Sequence, residues 1–151
     1  MSFFRKAICF ALVAVLAAAL FCGCGEKKAP FDAEVAFGRI LTEVKFAEEL
    51  EDSSEYAEYT FGELPEGTKV KHFAATGKCT DTAMLFTVQN ESDLDAVETV
   101  VRDYLNSLKN EADRYEPEEV PKLQNAVIYR NGTNLIVCVT GDTETVNSIL
   151  R

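Results

Sequence analysis

The sequence predicts an α+β domain: a mixed four-stranded sheet from two hairpins, packed with helices in helix-hairpin-helix-hairpin-helix order. Three features lead there. Two long segments repeat apolar residues at three-four spacing, the period of one helix face. Two pairs of short apolar runs flank turn-forming residues, which is the pattern of hairpins. Finally, Leu135-Ile136-Val137-Cys138-Val139 is apolar on both faces, as a strand is when it is covered on both sides.

The first 23 residues stand outside this domain. Arg5 and Lys6 precede a 15-residue apolar run from Ala7 to Phe21, and Gly23 stands directly before Cys24. That is the order of basic start, apolar stretch and cleavage site in an export signal. A bilayer-spanning helix needs about 20 apolar residues, so the run is short for a span. A small residue followed by cysteine is what a bacterial lipoprotein signal requires. Cys24 is the expected lipid acceptor, because a thiolate is nucleophilic enough to take a diacylglyceryl group. Bulky Phe21 directly before Cys22 disfavours Cys22. Two acyl chains anchor durably where one binds only marginally. Residues 24–30 read as a tether; the six residues 25–30 reach about 20 Å when extended. The single domain is then residues 31–151, long enough for a core of its own.

Within the domain, Ala33, Ala36, Phe37, Ile40, Leu41, Val44, Ala47 and Leu50 share one helical stripe, with Asp32 as N-cap. Glu51 to Glu55 is polar and breaks it. Tyr56, Tyr59, Phe61 and Leu64 read as a turn or short helix against the core, ahead of the Pro65-Glu66-Gly67 turn. Residues 70–76 and 82–88 flank Gly77-Lys78-Cys79-Thr80-Asp81 as the first hairpin. The next stripe is Leu94, Val97, Val101, Tyr104, Leu105, Leu108 and Ala112, and Ser92 with Asp95 resembles a capping box. This helix should stop near Arg114, ahead of Pro117, and residues 117–124 add a helical turn. Residues 126–130 and 134–140 flank Asn131-Gly132, a dipeptide suited to positive φ at both central positions of a hairpin turn. Asp142 caps a last helix to Leu150. A long helix linking the hairpins favours a crossover and hence the mixed sheet.

Three further blocks carry a resemblance: Asp81-Thr82-Ala83-Met84-Leu85-Phe86; Tyr115-Glu116-Pro117-Glu118-Glu119 with Lys122-Leu123-Gln124-Asn125-Ala126-Val127; and Asn131-Gly132-Thr133-Asn134. Over about residues 31–151, and with its lipoprotein start, the chain resembles the uncharacterised bacterial lipoproteins of domain of unknown function 4358. The resemblance implies location and fold. It carries over no catalytic residue.

Charge narrows the partners. The chain has 25 acidic against 15 basic residues and a formal charge of −10; losing Arg5 and Lys6 with the leader makes it −12. Such a domain repels phosphate backbones, so nucleic acid is not an expected partner. The expected partners are the membrane, through lipid on Cys24, and an envelope protein or ligand of unspecified kind.

Chemistry is sparse. His72 is the one histidine, and one histidine with two distant cysteines is no zinc site. Cys79 and His72 fall in a loop and a strand, a poor start for a nucleophile and base that must touch. Carboxylates are plentiful without converging. Asp52-Ser53-Ser54-Glu55 and Asp142-Thr143-Glu144 lack the pattern of a calcium loop. No catalytic residue, metal ligand or cofactor is assigned. In an oxidising compartment Cys79 and Cys138 could form a disulfide or stay free thiols, and spacing does not choose between these. The leading expectation is a non-enzymatic, lipid-anchored binding or accessory module on the outer side of the bacterial membrane. The alternatives are a small envelope hydrolase using carboxylates or Cys79, and a small-ligand or peptide-binding lipoprotein.

Overall fold

The computed structural model describes residues 30–151; the leader, Cys24 and residues 25–29 lie outside the described residues. The elements are α1 (Ala33–Glu43), β1 (Leu50–Asp52), α2 (Ala57–Phe61), β2 (Lys69–Ala75), β3 (Thr82–Thr87), α3 (Leu94–Tyr115), α4 (Val120–Gln124), β4 (Val127–Asn131), β5 (Asn134–Val139) and α5 (Thr143–Ile149). Three-residue 3-10 turns, Ser54–Tyr56, Glu91–Asp93 and Pro117–Glu119, lead into α2, α3 and α4. Residues Phe31–Arg151 form one compact unit.

The α+β class holds. The expected mixed four-stranded sheet does not: the sheet has five strands in the order β1-β2-β3-β5-β4, and every neighbouring pair is antiparallel. The added strand is β1, which pairs Leu50 with Ala75 and Asp52 with Phe73. Leu-Glu-Asp has neither length nor alternation to mark it as a strand. Backbone pairing along β2 imposes that form, continued by Ser53, whose N–H donates to the His72 carbonyl at 2.7 Å. The parallel pairing fails because β5 inserts between β3 and β4. Those two strands run the same way, but each meets β5 antiparallel.

The central strands β3 and β5 are covered on both faces, as the apolar run in β5 implies. On one face, Met84, Phe86, Leu135, Val137 and Val139 pack against Leu94, Val97, Val101 and Leu105 of α3. On the other, Ala83, Leu85, Ile136 and Cys138 pack against Ala36, Phe37 and Ile40 of α1 and Val146 and Ile149 of α5. The period-two alternation of the strands sends successive side chains into these two cores. Each fully buried Leu, Ile, Val or Phe contributes roughly 1.5–3 kcal/mol.

The helix ends follow local chemistry, with two departures. Asp32 caps α1, accepting from the N–H groups of Glu34 and Val35. Asp142 caps α5, accepting from Thr145 N–H. The α1 stripe was expected to run to Leu50, yet the helix stops at Glu43. Past it, Lys45 N–H donates to Asp142 (3.1 Å), Ala47 N–H to Asp81 (2.5 Å), and the Lys45 carbonyl accepts from Thr140 (3.0 Å). These tertiary hydrogen bonds replace another helical turn. The Ser92–Asp95 capping box does not form either. A 3-10 turn precedes α3, with no side-chain cap on its first amides.

The second hairpin turns one residue later than its dipeptide suggests. Asn131 pairs with Asn134, so Gly132 and Thr133 are the central residues. Only Gly132 has positive φ, +55°. Glycine first, then a residue at negative φ, is the type II′ pattern, so Gly132 supplies the turn without Asn131.

Candidate functional site

A cleft of about 370 Å3 opens between the β2–β3 connection and the C-terminal half of α3. Helical spacing builds one wall: Tyr104, Leu108, Glu111, Ala112 and Tyr115 recur every three or four residues, so one face of α3 carries them all. The opposite wall is Ala74, Ala75 and residues 77–82. Small side chains, Ala74 and Ala75 on one wall and Ala112 on the other, leave the intervening space open. Lys78, Glu111 and Glu116 bring charge to the lining, and Lys78 Nζ stands 3.9 Å from Glu116 Oε1.

The connection forming that wall is clamped. Asp81, 2% exposed, accepts from Ala47 N–H through Oδ2 and from Lys122 Nζ through Oδ1 at 2.9 Å. Lys122 also reaches Glu119 Oε2 at 2.8 Å, and that carboxylate accepts from the Thr80 N–H (2.8 Å) and hydroxyl (3.0 Å). Burial works to raise the Glu119 pKa, but its bonds from Lys122 and Thr80 outweigh this and lower it. Burial likewise works against the Lys122 charge, and its two carboxylate partners raise its pKa overall. The network joins the block at residues 81–86 to the block at 115–127, two of the three segments that carried the family resemblance.

Cys79 lines the cleft, partly buried, and is a free thiol. Burial foremost raises its pKa, and the charges of Asp81 and Glu48 add to this. Cys138 is a free thiol buried in β5 against α1 and α5, its pKa pushed up to about 12, chiefly by burial. Cys24 lies outside the described residues. His72 and Cys79 do not form a pair. The His72 ring is buried edge-on against Phe61 (5.2 Å between centroids) and Tyr104 (6.0 Å), and neither ring nitrogen has a hydrogen-bond partner among the described residues. Burial lowers its pKa below the ordinary 6.5, with the Asp52 charge opposing. Of the aromatic residues expected to fold against the core, Phe61 does so, while Tyr56 and Tyr59 are exposed instead. Among the described residues no group of three or more His, Cys, Asp or Glu side chains could hold a metal ion. No described helix is long and apolar enough to cross a membrane.

The cleft itself was not legible. Its α3 wall reads as ordinary core stripe, and Glu119 and Lys122 carry no local sign that they pair, because nothing local shows that α4 folds back onto the first hairpin. Chemically, the cleft offers a partly apolar lining with two phenols, a thiol held protonated and charges of both signs. Its volume lies at the small end of ligand sites, which run to about 300–1,000 Å3.

No curated protein and no solved structure matches the chain. The family model described as Domain of unknown function (DUF4358) matches residues 73–140. That segment contains every residue lining the cleft and the whole Asp81–Lys122–Glu119 network. Over residues 73–140, then, this chain is similar to the family of domain of unknown function 4358.

Proposed function

We propose that this protein is a lipid-anchored, non-enzymatic binding module on the outer side of a bacterial cell membrane, and that the cleft between residues 74–82 and α3 receives its ligand or partner. The observation that carries this reading is the coincidence of the cleft with the family segment. The family match spans residues 73–140, and the cleft lining lies wholly inside it. The lining favours binding over turnover. The Cys79 thiol is held protonated by burial, and the ring of His72, the one histidine of the chain, is packed among aromatic rings with no hydrogen bond among the described residues. A nucleophile needs a base within hydrogen-bond reach. The anchor rests on the leader and Cys24.

Two measurements test the two halves. Replacing Cys24→Ala should release the chain from the membrane fraction and abolish incorporation of labelled fatty acid. A variant that stays in membranes and carries lipid overturns the anchor. For the cleft, Leu108→Arg should fill the opening. In intact cells it should lose the envelope crosslinks formed by the parent chain while keeping the parent's circular dichroism. Crosslinks that persist unchanged, or a parent that repeatedly captures no envelope component, overturn the binding role.

A further inference from the structure

The outer edge of the sheet at β4 is open, and the hydrogen-bond register says which backbone groups it presents. Val88 N–H donates to the Thr133 carbonyl at 2.9 Å. In an antiparallel ladder, bonding direction alternates by residue. Leu135, Val137 and Val139 therefore bond toward β3, and Asn134, Ile136 and Cys138 toward Asn131, Tyr129 and Val127 of β4. Ile128 and Arg130 are left with N–H and C=O groups directed away from the sheet. No hydrogen bond among the described residues occupies them.

The usual protections of an edge are weak here. β4 contains no proline, and its one charge, Arg130, is turned aside onto Asp95 (2.7 Å) and Glu98 (3.3 Å) of α3. Beside the edge runs a groove of about 360 Å3 between α3 and β4. Leu105, Leu123, Ala126 and Ile128 supply its apolar part, Asn106 and Gln124 its polar part, and its charged lining residues are Lys109 and Arg102, the latter paired with Glu98 at 2.6 Å. No carboxylate lines it, in a chain with 25 acidic and 15 basic residues.

We infer that the β4 edge and this groove bind an extended segment of a partner protein as a sixth strand, with an apolar side chain flanked by carboxylates facing the groove. A strand added at the usual spacing of about 4.8 Å would exchange backbone hydrogen bonds with Ile128 and Arg130. Its residue opposite Ile128 shares that residue's face and lies over the apolar part of the groove. Residues two positions away on the same face come within reach of Lys109, which is in no ion pair among the described residues and selects a carboxylate, and of Arg102, which can share its guanidinium between Glu98 and a second carboxylate. A second copy of this chain is a poorer occupant. Its own β4 would bring Arg130, and no acidic residue, to a cationic rim.

The test uses the full chain in detergent micelles and two capped synthetic peptides, Thr-Glu-Thr-Ile-Thr-Glu-Thr and its counterpart with Lys in place of Glu. The acidic peptide should slow amide exchange at Ile128 and Arg130 by about tenfold or more, because those amides gain partners. The basic peptide should not. Arg102→Glu with Lys109→Glu should weaken the acidic peptide by about tenfold at low salt. Three results overturn the inference: unchanged exchange at millimolar acidic peptide, equal binding of the basic peptide, or protection of both amides that grows with protein concentration alone. The comparison of peptides on the unaltered chain stands even if the double variant misfolds.

Discussion

Lys122 Nζ lies 2.9 Å from Asp81 Oδ1, joining a short helix to the start of β3 across 41 positions of sequence. Asp81 is almost fully buried, and its other oxygen holds Ala47 N–H. The pair therefore ties three separate segments together beneath the cleft.

Replacing Lys122→Met should destabilise the domain by about 3 kcal/mol, because it leaves a buried carboxylate without its cation beside Glu119. Lys122→Arg should lose much less. Urea unfolding of both variants at pH 7 measures the difference. Equal and small losses would mean the pair adds nothing to the fold.

His72→Phe should stabilise the protein by about 1 kcal/mol, since it removes a buried polar ring without hydrogen bonds and keeps an aromatic shape against Phe61 and Tyr104. It should also flatten the pH profile. The folded pKa of His72 lies below 6.5, so below about pH 6.5 the unfolded chain takes up a proton the folded chain refuses. Stability then falls as pH drops through that range and stops falling, for this group, below the folded pKa. Glu119 has its pKa lowered from 4.5, so its contribution is complete above that value and is lost as pH falls through its folded pKa. Unfolding free energies between pH 7.5 and about pH 3 separate the two slopes; His72→Phe should erase the first alone.

Two glycines should respond oppositely to alanine. Gly38 is exposed within α1 with open space where a Cβ would go, so Gly38→Ala should stabilise by about 0.5–1 kcal/mol. Gly62 ends α2 at φ +68° and ψ −143°, a region nearly restricted to glycine. Gly62→Ala should cost about 1–3 kcal/mol, although nothing crowds the site. Thermal unfolding of the two variants should shift in opposite directions.

The two thiols should differ in reach. Cys79 lines the cleft and is partly buried; Cys138 is fully buried with its pKa near 12. Maleimide at pH 7.5 should label Cys79 slowly and Cys138 only after unfolding. Mass spectrometry of native and denatured samples reads this directly, and a ligand in the cleft should slow the first reaction. Rapid native labelling of Cys138 would contradict the packing of β5.

Much of the architecture was legible because each signal was local. Asp32 and Asp142 sit where caps must, the α3 stripe keeps its period for 22 residues, and β5 is apolar on both faces as a central strand is. What escaped depends on distant partners. Leu50–Asp52 becomes a strand only because Phe73–Ala75 lies beside it. The first helix ends early because Asp81 and Asp142 bind the backbone beyond it. The parallel pairing was excluded by β5 entering the middle of the sheet, which no hairpin signal announces. The cleft escaped for the same reason: its walls come from a loop and a helix that meet only in three dimensions.

The position of β5 also sets the order of assembly. Thr87 and Asn134 sit 47 positions apart and meet at the centre of the sheet, so the central pairing closes the longest loop of any strand pairing in the sheet. A chain emerging N-terminus first can close the β2–β3 hairpin early, but β3 gains its second neighbour only once β5 is out. Until then the Met84–Phe86 stretch is an apolar strand edge without a partner. The nascent domain should therefore be sticky for most of its emergence and become compact in a single late step.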